Sequence, residues 1–215
     1  MALDAAVHAL DLLDPSVWIS PETMIAGLTS VGRHFVKGRI QAWFDEIRVR
    51  KEMGQIDEQT LSSDESAHSV LELAKFLGEN NPDIETWNAA KKIFMATLEK
   101  GTKDPERAAL YELLNICKEL SGTEIKIVAA AFKILRAGTE KGHSANEWAS
   151  NIAKELGLET EEEVLRYEDN LVRQQLIMPR EVLNGNIQRT WSAPSASLGH
   201  RLTKLGYKFA ERLSQ

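Results

Sequence analysis

Few residues in this sequence have the spacing of known catalytic or metal-binding groups. Two Glu-x-x-His matches, Glu65–His68 and Glu140–His143, have the spacing that supplies ligands in di-metal four-helix proteins. Gly138 and Gly142 place the second match in a loop. The first match lies in the opening turn of a predicted helix, where an acid favours the helix dipole and the histidine is expected to be solvated. We therefore predict no metal site.

Motifs for nucleophilic or cofactor chemistry are also missing from the sequence. It contains no Gly-x-Gly-x-x-Gly, Walker-type or Gly-x-Ser-x-Gly motif. Cys117, the single cysteine, falls on the apolar stripe of a predicted helix, which indicates a buried structural thiol. We therefore expect a non-enzymatic protein without a cofactor, although a small enzyme with an unrecognised site remains an open alternative.

Cations gather around one tryptophan near the end of the chain. The turn residues Asn184–Asn186 and Pro194 would fold this segment back as a β-ribbon. Arginines offer forked donors to phosphate or carboxylate, and an aromatic among them can anchor an interface. The pattern predicts a binding site for an anionic partner at Arg180, Arg189, Trp191, Arg201 and Lys204. In the alternative interpretation, Trp191 packs beneath the ribbon and the cations are only solvated.

The elements that must position these residues are mostly helices. Apolar residues recur at helical spacing between Gly-, Pro- and Asn-rich breaks, and Gln55–Asp64 is a polar connection. The spacing predicts helices over about 20–53, 64–77, 84–98, 105–120 and 123–135. The first four segments together predict a multi-helix N-terminal module over residues 1–119, and the fifth opens the C-terminal module.

The last part of the chain has the pattern of a winged helix. A capping box at Ser144–Glu147 precedes a short helix that ends at Gly157, and Thr160 caps a third helix reaching Leu176. Short strands between 180 and 203 form the ribbon, and Thr203 caps a closing helix over 204–213. The predicted fold class is therefore all-α, with a C-terminal winged-helix-like module over residues 120–215 and a small β-ribbon.

The charge distribution limits the function classes. The 215 residues carry a net charge of −6, of which residues 1–119 contribute −7 and residues 120–215 contribute +1. The balance argues against bulk nucleic-acid packaging. The helix that would enter a DNA groove opens with Glu161-Glu162-Glu163, which repels phosphate. No apolar stretch approaches the roughly 20 residues of a membrane span, so we expect no membrane span. The single cysteine fits a reducing compartment and the first residues lack the basic segment of a secretory signal, so we expect a cytoplasmic location.

Three segments carry a family resemblance. A glycine-interrupted amphipathic helix leads into the basic segment Arg48–Lys51, Trp87 and Glu112–Leu120 precede Ser121–Glu124, and the chain closes on Leu198–Phe209. These segments resemble the bacterial abortive-infection alpha family, with its "leu-ser-x-x-glu" junction and its "leu-thr-x-leu-gly-x-x-phe" ending. The resemblance implies a helical protein linked to phage defence, and it carries over no catalytic residue.

The residues and the resemblance together predict a non-catalytic intracellular interaction or regulatory protein with a protein partner, in bacterial phage defence. The alternative is a winged-helix DNA-binding transcriptional regulator whose basic ribbon contacts nucleic acid. Salt-dependent binding to duplex DNA would distinguish the two, because a regulator must neutralise phosphates.

Overall fold

The computed structural model describes residues 33–137, 147–179 and 201–214 of the chain. These residues are mostly helical and contain no strand, which confirms the all-α prediction. The helices are α1 (Arg33–Glu52), α2 (Glu58–Leu61), α3 (Asp64–Asn80), α4 (Ile84–Leu98), α5 (Asp104–Lys118), α6 (Gly122–Arg136), α7 (Trp148–Leu156), α8 (Glu161–Leu165), α9 (Glu168–Arg173) and α10 (Lys204–Ser214).

Several predicted features lie outside the described residues. They are the start of the first helix near Ser20, the capping residue Ser144, and the ribbon segment 180–200. The ribbon and the winged-helix arrangement therefore stay predictions.

The chain forms two compact units. Unit 1 comprises Met1–Asp83 and Ala90–Leu114, and unit 2 comprises Ile84–Ala89 and Asn115–Gln215. The division of the chain into modules 1–119 and 120–215 stays a prediction.

The core of unit 1 is built around aromatic side chains of α1 and α4. Trp43 is fully buried, and its ring lies 5.3 Å from that of Phe94 at 75°, the edge-to-face geometry that aromatic pairs favour. Aliphatic side chains at helical spacing complete the core, including Ile40, Ile47, Leu73, Leu77, Ile93, Leu98, Leu110 and Leu113. The apolar stripes read from the sequence are therefore the buried faces of these helices.

Two boundaries in unit 1 differ from the prediction. The polar connection contains the short helix α2, because the Asp57 side chain accepts a hydrogen bond from Gln59 N and Leu61 is buried. Helix α3 runs on to Asn80 rather than ending at Leu77, and Asn81 adopts the left-handed conformation that ends it.

Unit 2 is organised around α6. Ser121 Oγ accepts a hydrogen bond from Glu124 N at 3.3 Å, and Glu124 Oε2 accepts from Ser121 N at 2.7 Å, so the two residues form a capping box. The helix begins at Gly122, one residue before the predicted Thr123. Asn170 of α9 donates to Glu124 Oε1 at 2.6 Å. The start of α6 is therefore also an attachment point for α9.

The third helix predicted in the C-terminal module is interrupted. Two short helices, α8 and α9, replace it, with a turn at Arg166–Tyr167. Tyr167 N donates to Val164 O, an i to i−3 bond that tightens the backbone at this point. Val164 and Leu171 are nevertheless buried as the periodicity predicted.

Candidate functional site

The structure places only two of the five predicted site residues. Arg180, Arg189 and Trp191 lie outside the described residues, whereas Arg201 and Lys204 flank the start of α10. Lys204 is exposed, but Arg201 is fully buried. The two residues therefore have different environments, although they were predicted to share one surface.

Arg201 is held by groups of its own chain. Its Nη2 donates to Glu168 Oε1 at 2.5 Å and to Met178 O at 2.6 Å, and its Nε donates to Met178 O at 3.2 Å. The guanidinium carbon lies 4.4 Å from the centre of the Trp148 ring, within the range of a cation–π interaction. The anion that Arg201 meets in this structure is thus the carboxylate of Glu168, which is itself buried.

The backbone around Arg201 is fixed as tightly as its side chain. Arg201 has a φ of +57°, a left-handed conformation that is costly for a long side chain. Arg201 O accepts from Met178 N at 2.9 Å, and Ile177 forms an isolated antiparallel bridge with Leu202. Such strain persists only where the surroundings compensate for it, as the buried ion pair and these backbone bonds do here.

The residues after Arg201 fasten the start of α10. Thr203 Oγ1 accepts from Gly206 N at 2.9 Å and donates to Gln175 O at 2.6 Å, so Thr203 caps the helix as predicted. Gly206 packs directly against the backbone of Leu176, because a Cβ added there would lie 2.0 Å from Leu176 O. The closing motif of the family resemblance therefore holds α10 in one orientation.

Exposed cations and one aromatic side chain lie on the outer side of α10 and at the end of α6. We call this surface the basic–aromatic face and define it as Arg136, Lys204, Tyr207 and Lys208. The Tyr207 ring lies 5.0 Å from that of Phe132 at 71°, and the Arg136 guanidinium carbon lies 5.6 Å from the centre of the same Phe132 ring. The Phe132 ring therefore brings Arg136 of α6 together with Tyr207 of α10.

A second surface of unit 2 is negatively charged. We call it the acidic surface and define it as the exposed residues Glu159, Glu161, Glu162 and Asp169. Glu163 differs from its neighbours because its Oε1 accepts from Glu159 N and Thr160 N, which caps α8. The acidic run at this helix start thus divides into one capping residue and exposed carboxylates.

The metal and nucleophile candidates from the sequence have ordinary surroundings. Glu65 and His68 are both exposed in the first turns of α3, and the pair Glu140 and His143 lies outside the described residues. Within the described ranges, no three His, Cys, Asp or Glu side chains are grouped to hold a metal ion. Cys117 is buried, with its thiol 3.9 Å from Thr86 O, as predicted for a structural cysteine.

Unit 1 contains a cavity of about 310 Å³ beside the bridge between Ile56 and Glu99. Charged, amide and apolar side chains line it: Arg50, Gln55, Ile56, Met95, Glu99 and Lys100. Arg50 is already paired with Glu46 at 3.1 Å. The lining offers polar and apolar contacts, but it includes no Ser, Thr, Cys or His side chain.

Comparison of the chain with protein-family models, curated proteins and solved structures finds no match. In the part of the chain that the structure describes, no helix is long and apolar enough to cross a membrane.

The sequence interpretation missed three contributors to these arrangements. Glu168 was not recognised as the partner of Arg201, because the two residues are 33 positions apart and only folding joins them. Arg136 was missed for the same reason, since it reaches the basic–aromatic face through the packing of α6 on α10. Tyr207 carried a usable signal: it stands at i+3 from Lys204, opposite the apolar side of α10.

Proposed function

We propose that this chain is a non-catalytic interaction or regulatory protein of bacterial phage defence. The observation that carries the proposal is how the closing motif divides its side chains. Thr203, Gly206 and Phe209 are used in capping and packing, whereas Lys204, Tyr207 and Lys208 remain on the surface. A motif that fixes one helix and leaves cations and an aromatic outside is suited to presenting a binding surface.

The link to phage defence rests on the resemblance to the abortive-infection alpha family. The junction Ser121–Glu124 and the ending Leu202–Phe209 both carry structural contacts in unit 2. These contacts are a physical reason for proteins that contain such a unit to carry both motifs. The resemblance then suggests that the defence role belongs to the same unit.

Phage challenge tests this proposal. Cells expressing the chain are infected with a panel of phages, and the efficiency of plating is compared with that of cells carrying the empty vector. The matched control is Gly206→Asp, which introduces a charged side chain where the Leu176 backbone leaves no room. We expect at least one phage to plate poorly on cells with the native chain and normally on the control. Equal plating for every phage would contradict the proposal.

Duplex DNA binding is the second candidate function, and the cations of the basic–aromatic face favour it. The acidic surface opposes it, because the predicted groove-reading helix exposes Glu161 and Glu162. A DNA regulator should bind a duplex oligonucleotide with an affinity that falls steeply between 50 and 200 mM salt.

A further inference from the structure

We propose that the basic–aromatic face binds an acidic segment of a partner protein, with Tyr207 as the central anchor. This inference rests on the proposed interaction function and names the chemistry of the partner. The face lies within unit 2, on the outer side of α10 and the last turn of α6.

The three cations of this face have no carboxylate partner within the described residues, although Arg136 packs over the Phe132 ring. Lys204, Lys208 and Arg136 form no ion pair there, whereas the neighbouring Lys133 is paired with Glu155 and Arg201 with Glu168. Lys204 also occupies the first turn of α10, where the helix dipole opposes a cation. A cation kept at this position raises the local positive potential, which attracts carboxylates.

Tyr207 has the properties of an interface anchor. It is 38% exposed, and it is one of four large hydrophobic side chains that the described residues leave on the surface. Its contact with the Phe132 ring holds one edge of the aromatic ring in place. A rigid aromatic loses little conformational entropy on binding, and aromatic residues among charged neighbours are common binding hot spots.

The limited extent of the face favours a short acidic segment over nucleic acid. Glu211 follows on the same side of α10, and Glu155 of α7 pairs with Lys133, which lies one helical turn of α6 before Arg136. Duplex DNA carries a charge every 1.7 Å or so along its axis, so its backbone would extend past the cations towards these carboxylates. A short segment with a few acidic side chains can pair with the three cations without extending to the carboxylates of Glu211 and Glu155.

The same contacts argue against a lipid surface as the occupant. An amphipathic helix binds membranes by inserting its apolar side. The apolar side of α10 is turned inward, since Phe209 and Ala210 are buried. The exposed side offers charge and a single aromatic ring, which suits a protein segment.

Direct binding of defined probes tests the inference. The probe is a fluorescein-labelled 12-residue peptide that alternates Glu and Asp around one Trp. It is compared with its Gln/Asn counterpart, a 20-base-pair duplex, and vesicles of 30% anionic lipid. The full chain is titrated against each probe at 100 mM salt. We expect saturable binding of the acidic peptide, with at least tenfold weaker binding of the neutral peptide, the duplex and the vesicles.

Variants of the full chain assign the binding to this face. The double change Lys204→Glu with Lys208→Glu should weaken binding of the acidic peptide at least tenfold, and Tyr207→Ala at least threefold. The control Lys154→Glu with Arg166→Glu alters the net charge by the same amount at exposed sites of α7 and the α8–α9 turn. Circular dichroism verifies that each variant folds. If the Lys204→Glu with Lys208→Glu variant does not fold, Lys204→Gln with Lys208→Gln takes its place.

The outcomes separate this inference from the proposed function. The inference fails if no probe binds, if the duplex or the vesicles bind more tightly than the acidic peptide, or if the control pair weakens binding as much as the Lys204/Lys208 pair. The proposed function fails if the native chain gives no protection against phage, whatever the peptide result. If the Lys204/Lys208 variant still protects against phage, the basic–aromatic face is not the binding site, and the proposed function stands.

Discussion

Arg201 was predicted to bind a partner at the surface, but its side chain is buried and stabilises the interior of unit 2. It lies between predicted surface residues, yet its guanidinium is enclosed by Glu168, Met178 O and the Trp148 ring. A buried charge is tolerated only when a partner and hydrogen bonds compensate for its lost hydration. The pair therefore locks the segment that leads into α10.

The ion pair yields a stability prediction. Glu168→Leu leaves Arg201 buried without its carboxylate, which we expect to cost about 3–5 kcal/mol of unfolding free energy. The double variant Glu168→Leu with Arg201→Met removes both charges and should lose clearly less than the sum of the single variants Glu168→Leu and Arg201→Met. Urea unfolding followed by tryptophan fluorescence measures all four proteins. Strict additivity of the two changes would show that the charges are not coupled.

At the scale of elements, the position of α10 depends on close backbone contact. Gly206→Ala would place a Cβ 2.0 Å from Leu176 O, so the helix must shift. We expect a loss of about 1–3 kcal/mol, as for other overpacked sites. The matched control is Gly38→Ala in α1, which meets no atom within 4 Å and should gain about 0.5–1 kcal/mol from helix propensity. Urea unfolding followed by circular dichroism measures both variants, and equal stability of the two would refute this contact.

The cap of α2 gives a pH dependence. The Thr60 hydroxyl, which donates to Asp57 at 3.0 Å, lowers the pKa of the Asp57 carboxyl from its ordinary 3.8, aided by Gln59 N and Arg107 and opposed by burial. Because the folded pKa lies below the unfolded one, the carboxylate stabilises the fold above the unfolded pKa. This contribution is lost as pH falls through the folded pKa.

Thermal unfolding of native chain and Asp57→Asn from pH 7 to pH 2.5 tests this dependence. The native chain should be more stable at pH 7, and the difference should shrink below about pH 4, in the window set by the lowered pKa. Thr60→Val, which removes the hydroxyl, should shift the loss towards higher pH. A difference between native chain and Asp57→Asn that stays constant with pH would contradict the assignment.

The helices were predictable because local signals specify them. Apolar spacing identified the buried faces of α3, α4 and α5, and Thr203 was recognised as the cap of α10. The short helix α2 was missed, because a single cap and one buried leucine give little periodicity. The break between α8 and α9 was missed as well, since buried residues on both sides keep helical spacing.

The candidate site was less predictable than the helices because long-range packing decides which cations stay exposed. Lys204 was predicted and is exposed, whereas Arg201 is buried against a residue 33 positions away. Arg136 joins Lys204 and Tyr207 only through the packing of α6 on α10. Neither outcome can be read from residue types and spacing in one segment.

At the scale of the whole molecule, the net charge is −6, so a compact basic patch departs from the overall charge balance and indicates a specific role. Most acidic and basic side chains on such a surface balance one another and contribute little. The basic–aromatic face is an exception, because its three cations stand together around a partly exposed aromatic ring. Electrostatic complementarity would favour a specific acidic partner and would weaken nonspecific association with polyanions elsewhere on the chain.

Site-specific photo-cross-linking tests the central claim most directly. The photoreactive p-benzoylphenylalanine replaces Tyr207 in one protein and Glu162, on the acidic surface, in a matched control, and both are irradiated in cells of the source organism. We predict a discrete, protease-sensitive adduct from position 207 that disappears when Lys204 and Lys208 are changed to Glu, with no such adduct from position 162. A nuclease-sensitive adduct at position 207, or a protein adduct that survives the charge reversal, would contradict the account.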